Sequence, residues 1–260
     1  MFTLACDRAY LYGHPERELT ENERTRYEEA LTQRARGVPA QYISGHQEFW
    51  GMDFIVSPAV LIPRPETEHL VERVLEVLAD WRGAKSSHHN PSSSPRLVDV
   101  GTGSGCIALA LAKELPQVEI HATDISRAAL EIARANATRL NLHARAAFHL
   151  ADLLAGIEPP FDVVVSNPPY VGLAEEDQVQ LEVRRFEPRT AVFAGESGLE
   201  VLERLVPQAY TVLKPEGWVV LEMSGTIAEK AQTLLNGWTN VQVTPDLQGI
   251  PRVLSAQRPS

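Results

Sequence analysis

Cysteine is scarce in this chain. Two residues in 260, Cys6 and Cys106, exclude a disulfide framework and a four-thiolate zinc site, and they fit a reducing cytoplasm. The N-terminus has no basic start followed by an apolar run, so no signal peptide is expected. No apolar stretch is long enough to cross a bilayer. Positive charge is also short: 24 Lys and Arg stand against 34 Asp and Glu, a net −10. A general nucleic-acid binder neutralises phosphates with a basic face. The balance therefore argues against direct nucleic-acid contact and is compatible with a basic protein partner. Internal repeats and extended low-complexity tracts are absent as well. Hydrophobic residues make up 44%, enough for one α/β domain with a small appendage.

The N-terminal part reads as helical. Thr20-Glu21-Asn22-Glu23 has capping-box spacing. Tyr27, Ala30 and Leu31 share a face expected to pack against the remainder, and Gly37 with Pro39 ends the helix. Gln41 to Val56 is aromatic and irregular, as in a hairpin joining two units. A second helix is predicted from Pro65, with Leu70, Val71, Val74, Leu75 and Leu78 as its buried stripe. The polar stretch from Gly83 to Pro95 reads as an exposed loop. Its paired His88 and His89 have no carboxylate or cysteine spaced to complete a metal site, so no metal is expected. Beyond it, apolar runs at Leu97–Val100, Val118–Ala122, Phe161–Val165 and Trp218–Leu221 alternate with helical patterns. That alternation implies a parallel sheet covered by helices on both faces.

Leu97-Val98-Asp99-Val100-Gly101-Thr102-Gly103-Ser104-Gly105 is a strand running into a glycine turn and a helix. Bare backbone at such a turn lets a ligand approach closely. Asp124, about twenty residues on, ends the next strand, where a carboxylate can accept ribose hydroxyls. The spacing is G-x-G-x-G with Cys106 in sixth place, whereas pyrophosphate binders prefer G-x-G-x-x-G. A nucleoside ligand without phosphate, such as S-adenosylmethionine, suits it better. Asp99 lies just below the loop and either supports it or is a polar strand end.

Phe161-Asp162-Val163-Val164-Val165-Ser166-Asn167-Pro168-Pro169-Tyr170 ends a strand at the carboxyl edge. Asn167 offers a side-chain carbonyl. The prolines fix the loop, so the Pro168 carbonyl can face inward, and Tyr170 supplies a flat aromatic wall. Two acceptors and a wall suit a planar –NH₂ group. Its lone pair is delocalised into the π system, and holding both hydrogens lets the nitrogen pyramidalise toward a methyl donor. Adenine, guanine and glutamine side chains all present such a nitrogen, so the motif alone leaves the acceptor open.

The sequence resembles the HemK/PrmC family of peptide chain release factor glutamine methyltransferases across nearly its whole length. The resemblance rests on Gln41-Tyr42-Ile43-Ser44-Gly45, Glu48-Phe49-Trp50-Gly51, Leu61-Ile62-Pro63-Arg64-Pro65-Glu66-Thr67-Glu68, the glycine loop, the Asn-Pro-Pro-Tyr segment and Arg185-Phe186-Glu187-Pro188. It implies a seven-stranded Rossmann-like class I methyltransferase sheet with a small helical N-terminal domain. The divisions expected are 1–40, a hairpin linker at 41–60, and a catalytic domain at 61–260. Family members usually have more chain before the segment matching Ala5–Pro15, so the N-terminal domain is expected to be shortened. The resemblance further implies that Gly101, Thr102, Gly103, Ser104, Gly105, Asp124, Asp152, Leu153 and Asn167 surround S-adenosylmethionine. Asn167, Pro168, Pro169 and Tyr170 would hold the glutamine, with Asn167, Pro168 and Tyr170 acting in catalysis. Phe49 and Arg64 are candidates for the pocket roof, against core packing and a surface ion pair. The implied enzyme is a cytoplasmic monomer acting on the Gly-Gly-Gln loop of release factors, with no nucleic acid or membrane contacted. The rival readings are a nucleic-acid amino methyltransferase and a non-catalytic S-adenosylmethionine-binding module.

Overall fold

The computed structural model describes residues 4, 6–83 and 94–260, so His88 and His89 lie outside the described residues. Three helices come first: α1 (Arg8–Gly13), α2 (Glu21–Ala35) and α3 (Ala40–Ser44). The expected capping box starts α2, with the Glu23 N–H donating to Thr20 Oγ1 at 3.3 Å and the Thr20 N–H to Glu23 Oε2 at 2.9 Å. Such a cap contributes about 1 kcal/mol. Gly37, at φ +90°, ends the run. The apolar face of α2 departs from expectation. Tyr27 is 45% and Leu31 50% exposed, and with Ala30 they line a shallow groove shared with Ala40 and Ile43 of α3.

A hairpin follows, β1 (His46–Phe49) against β2 (Met52–Ile55). Its Phe49 and Phe54 are buried edge to face, with ring centroids 6.2 Å apart. Phe49 is therefore a core residue and not part of a pocket roof. A short 3₁₀ turn at Pro65–Thr67 leads into α4 (Glu68–Gly83), whose Leu70, Val71, Val74 and Leu78 are buried as expected, whereas Leu75 is only partly buried and Val77 is buried in addition.

The remaining chain builds one sheet and its cover: β3 (Arg96–Val100), α5 (Cys106–Glu114), β4 (Glu119–Asp124), α6 (Arg127–Arg139), β5 (Ala146–Leu150), β6 (Phe161–Ser166), a two-residue β7 (Val171–Gly172), α7 (Leu181–Phe186), α8 (Arg189–Val192), β8 (Phe193–Gly195), α9 (Glu200–Val212), β9 (Leu213–Glu222), α10 (Ala228–Thr233), β10 (Thr239–Pro245) and β11 (Pro251–Gln257). Seven strands stand in the order β10-β11-β9-β6-β3-β4-β5. All six residues of β6 are buried, as a central strand covered on both faces requires. Alternate residues feed two cores. Leu97, Val163 and Val165 join the cluster under α4 and α5, and Val98, Val100 and Val164 join the cluster under α9 and α10.

One expectation needs correction. The strands β5, β4, β3, β6 and β9 are mutually parallel, but β11 runs antiparallel to β9, and β10 antiparallel to β11. Only five residues separate β10 from β11, which suffices for an antiparallel return and not for a crossover.

Candidate active site

Adjacent parallel strands β3 and β6 point their carboxyl ends the same way. The chain leaves β3 toward β4 and β5 on one side, and β6 leads toward β9 on the other. Ligands bind in open α/β sheets where the order reverses in this manner. The glycine loop after β3 and Asn167 after β6 flank that point, and a cavity of about 360 Å³ opens there.

Gly101, Gly103 and Gly105 take φ of +74°, +55° and +83°. A Cβ on Gly101 or Gly103 would meet no protein atom within 4 Å, so their backbone is bare toward the cavity. Gly105 differs: a Cβ there would lie 3.2 Å from Ala133 Cβ and 3.3 Å from Leu109 Cδ1. The first two glycines leave room for a ligand, and the third lets α6 pack against α5. Accordingly Gly101, Thr102, Gly103 and Ser104 line the cavity, and Gly105 does not.

Beneath the loop, Asp99 is fully buried and accepts from the Thr102 hydroxyl at 2.6 Å. Burial pushes its carboxyl up to about 7, and its Oδ1 has no hydrogen-bond partner. Ser104 Oγ is also buried and unpartnered. Asp124, the last residue of β4, accepts from the Gly103 N–H at 2.9 Å and the Ser126 N–H at 2.8 Å. Burial raises its pKa, opposed by the N–H groups of Ser126, Gly103 and Ile125. Each carboxylate oxygen keeps a lone pair free for a ligand hydroxyl. Asp152 and Leu153 also line the cavity. Asp152 pairs with Arg204 at 2.6 Å, and Leu153 holds φ +54°, rare for a residue with a side chain.

Asn167 and Pro169 line the opposite wall. Asn167 Nδ2 donates to Thr67 Oγ1 at 3.1 Å, leaving Oδ1 as an acceptor for an incoming N–H. Pro168 and Tyr170 are not part of this wall. The Tyr170 hydroxyl donates to Glu222 Oε1 at 3.2 Å, and burial raises the phenol pKa.

Residues 59–64 and 188–193 complete the enclosure. They are joined by Glu187, whose side chain is 1% exposed: it accepts from the Ile62 N–H at 3.0 Å and pairs with Arg64. Arg64 thus lines the pocket through a half-buried ion pair. Thr67, Glu187 and Glu222 carry no motif signal of their own. Only their place in Ile-Pro-Arg-Pro-Glu-Thr-Glu and Arg-Phe-Glu-Pro could have flagged the first two. Among the described residues no group of three His, Cys, Asp or Glu could hold a metal ion.

A family model described as methyltransferase small domain matches residues 86–185, and one described as PrmC N-terminal domain matches residues 1–45. The release factor glutamine methyltransferase of Koribacter versatilis is 53% identical over 100% of this chain and 89% of its own. The protein of that name from Bradyrhizobium diazoefficiens is 40% identical over 98% and 84%. Among solved structures, a ribosomal protein L11 methylase from Lactobacillus delbrueckii subsp. bulgaricus has a TM-score of 0.52 at 22% identity, covering 76% of this chain and 81% of its own. A methyltransferase from Pyrococcus furiosus has a TM-score of 0.56 at 18% identity, covering 93% and 100%. Both report on the fold.

Proposed function

The chain belongs to the release factor glutamine methyltransferase family, and on that premise we propose that it methylates the N5 amide nitrogen of the glutamine in the Gly-Gly-Gln loop of release factors. S-adenosylmethionine is the donor, and its sulfonium supplies an electrophilic methyl group when bound. The bare backbone of Gly101 and Gly103, the Asp124 carboxylate and the Ser104 side chain, all in the cavity wall, fit a nucleoside joined to an amino acid.

The observation that carries the assignment of atoms is the anchored amide of Asn167 in the same cavity wall as the glycine loop. With Nδ2 committed to Thr67, Oδ1 accepts one hydrogen of the glutamine amide. The Pro168 carbonyl, one residue beyond the wall that Asn167 forms, takes the other as the glutamine is drawn in, so the nitrogen lone pair is turned toward the donor. Enclosure by residues 59–64 and 188–193 keeps water from competing for those hydrogens. No base is needed before attack, because the nitrogen becomes acidic only once it carries the new methyl. Tyr170 and Pro169 stiffen the loop that presents these acceptors. Two glycines before the glutamine let the substrate backbone pass into a narrow entrance. The exposed face of α2 grips the body of the release factor.

Mass spectrometry of a release factor incubated with the protein and S-adenosylmethionine tests the reading. One methyl on the Gly-Gly-Gln glutamine is expected. Methylation of another residue, or of RNA alone, would overturn it.

A further inference from the structure

Glu222 ends β9 directly behind the Asn-Pro-Pro-Tyr segment, 1% exposed. Its Oε1 accepts from the Tyr170 hydroxyl at 3.2 Å, and its Oε2 is the oxygen left open to a second donor. Thr67, 2% exposed, sets its hydroxyl against the Glu222 carboxyl and accepts from Asn167 Nδ2 at 3.1 Å. A carboxyl group this deep is costly to ionise, and nothing in the proposed chemistry touches it directly.

A side-chain amide can be turned over, exchanging its oxygen and nitrogen with little change in shape. Asn167 offers its oxygen to the substrate only if its nitrogen is held elsewhere, and the holder is the Thr67 hydroxyl. That hydroxyl can accept from Asn167 and still satisfy its own proton only if the proton goes to a second group. An ionised carboxylate accepts and cannot donate. A protonated carboxyl could donate to Thr67 instead. Thr67 would then donate to Asn167 Oδ1, and the amide –NH₂ would confront the –NH₂ of the substrate.

Resting on the proposed function, we infer that ionised Glu222 is a positioning residue, which fixes the direction of the Thr67 and Tyr170 hydroxyl protons and through Thr67 keeps the Asn167 carbonyl turned to the glutamine amide. The charged and titratable groups facing Glu222 are Tyr170, Arg252 (itself paired with Asp246 at 2.9 Å), Glu66 and the buried Cys106 thiol. Burial dominates and pushes the carboxyl up to about 7, while the Thr67 and Tyr170 hydroxyls and Arg252 favour the charged form. The ionised fraction, and with it the correctly turned Asn167, is therefore lost as pH falls through about 7.

The test is the pH dependence of kcat for methyl transfer to an intact release factor at saturating S-adenosylmethionine. The wild type should show an acid limb near pH 7, losing about tenfold per pH unit below it. Glu222→Gln should lower the plateau roughly 10- to 100-fold, the loss expected of a misaligned reacting group, and erase the limb. Calorimetry should find its cofactor affinity retained. Thr67→Val should lower kcat similarly, and Thr67→Ser, which keeps the hydroxyl, should recover most of that loss. The double variant Thr67→Val with Glu222→Gln should be little worse than either single one. An acid limb that persists in Glu222→Gln, or losses that multiply in the double variant, would overturn the inference. No transfer by the wild type would overturn the substrate assignment and the inference together. Transfer without an acid limb would overturn the inference alone.

Discussion

Alanine at Gly103 and at Gly105 should do opposite things, although the two glycines stand two residues apart in one loop. Both have positive φ, which costs an L-residue about 1–2 kcal/mol, partly offset by the ~0.4–1 kcal/mol gained when the unfolded chain loses glycine's freedom. At Gly105 the new methyl also meets Ala133 and Leu109 at 3.2–3.3 Å, and overpacking of this kind costs about 1–3 kcal/mol. At Gly103 it meets no protein atom within 4 Å and projects into the cavity instead. Gly105→Ala should therefore be less stable by about 2–4 kcal/mol, a fall of roughly 5–12 °C in Tm for a chain of this size. Gly103→Ala should lose only about 1–4 °C. The order reverses for the ligand. Gly103→Ala should bind S-adenosylmethionine on the order of 10- to 100-fold more weakly, and Gly105→Ala within a few fold of wild type. Thermal melts with and without S-adenosylmethionine read both effects, since a ligand at about 100 times its Kd raises stability by about 2.7 kcal/mol. Equal Tm losses, with ligand stabilisation intact in Gly103→Ala, would refute the division of labour.

Asn167→Ala should lower kcat by about 10²-fold or more while S-adenosylmethionine affinity, read by calorimetry, stays within a few fold. Asp124→Asn removes the charge from bonds to ribose hydroxyls, so S-adenosylmethionine binding should weaken by roughly 10- to 100-fold, measured the same way. The double substitution Tyr27→Ser with Leu31→Ser changes an exposed face of α2, so Tm should barely move. KM for an intact release factor should rise several-fold while turnover of a short Gly-Gly-Gln peptide is unchanged; an equal effect on both substrates would remove that face from docking.

Strands that are uninterrupted apolar runs were legible in the sequence; the edge strands, and the interior β11 whose buried run is broken by Ser255, were not. Phe161–Val165 and Leu97–Val100 are buried on both faces, so each is an uninterrupted apolar run. Thr239–Pro245 faces solvent along most of its length and Ala146–Leu150 along part of it. Neither has a periodic signal, and they entered only through the resemblance. The antiparallel closure of β10 and β11 was illegible for the same reason. The glycine loop, Asp124 and Asn167 were readable because each combines an unusual residue with a strand end. Thr67, Glu187 and Glu222 act through partners 100, 125 and 52 positions away, and no local pattern encodes such pairings. The face of α2 misled because amphipathic spacing marks a surface that wants a cover without saying which surface supplies it.

One side chain binds together parts of the molecule that the sequence keeps far apart. Asn136 of α6 is fully buried. Its oxygen accepts from the Ile55 N–H at 2.7 Å, and its nitrogen donates to the Ile55 carbonyl at 3.0 Å and the Ser104 carbonyl at 2.9 Å. Every donor it owns is spent, one on the glycine loop and one on the β1–β2 hairpin. Aspartate has the shape but not the donors, and glutamine has the donors at the wrong reach. The glycine loop and the joint leading to the N-terminal helices are thus indexed to a common peg. Removing Asn136 would therefore release the Ile55 backbone and the Ser104 carbonyl together.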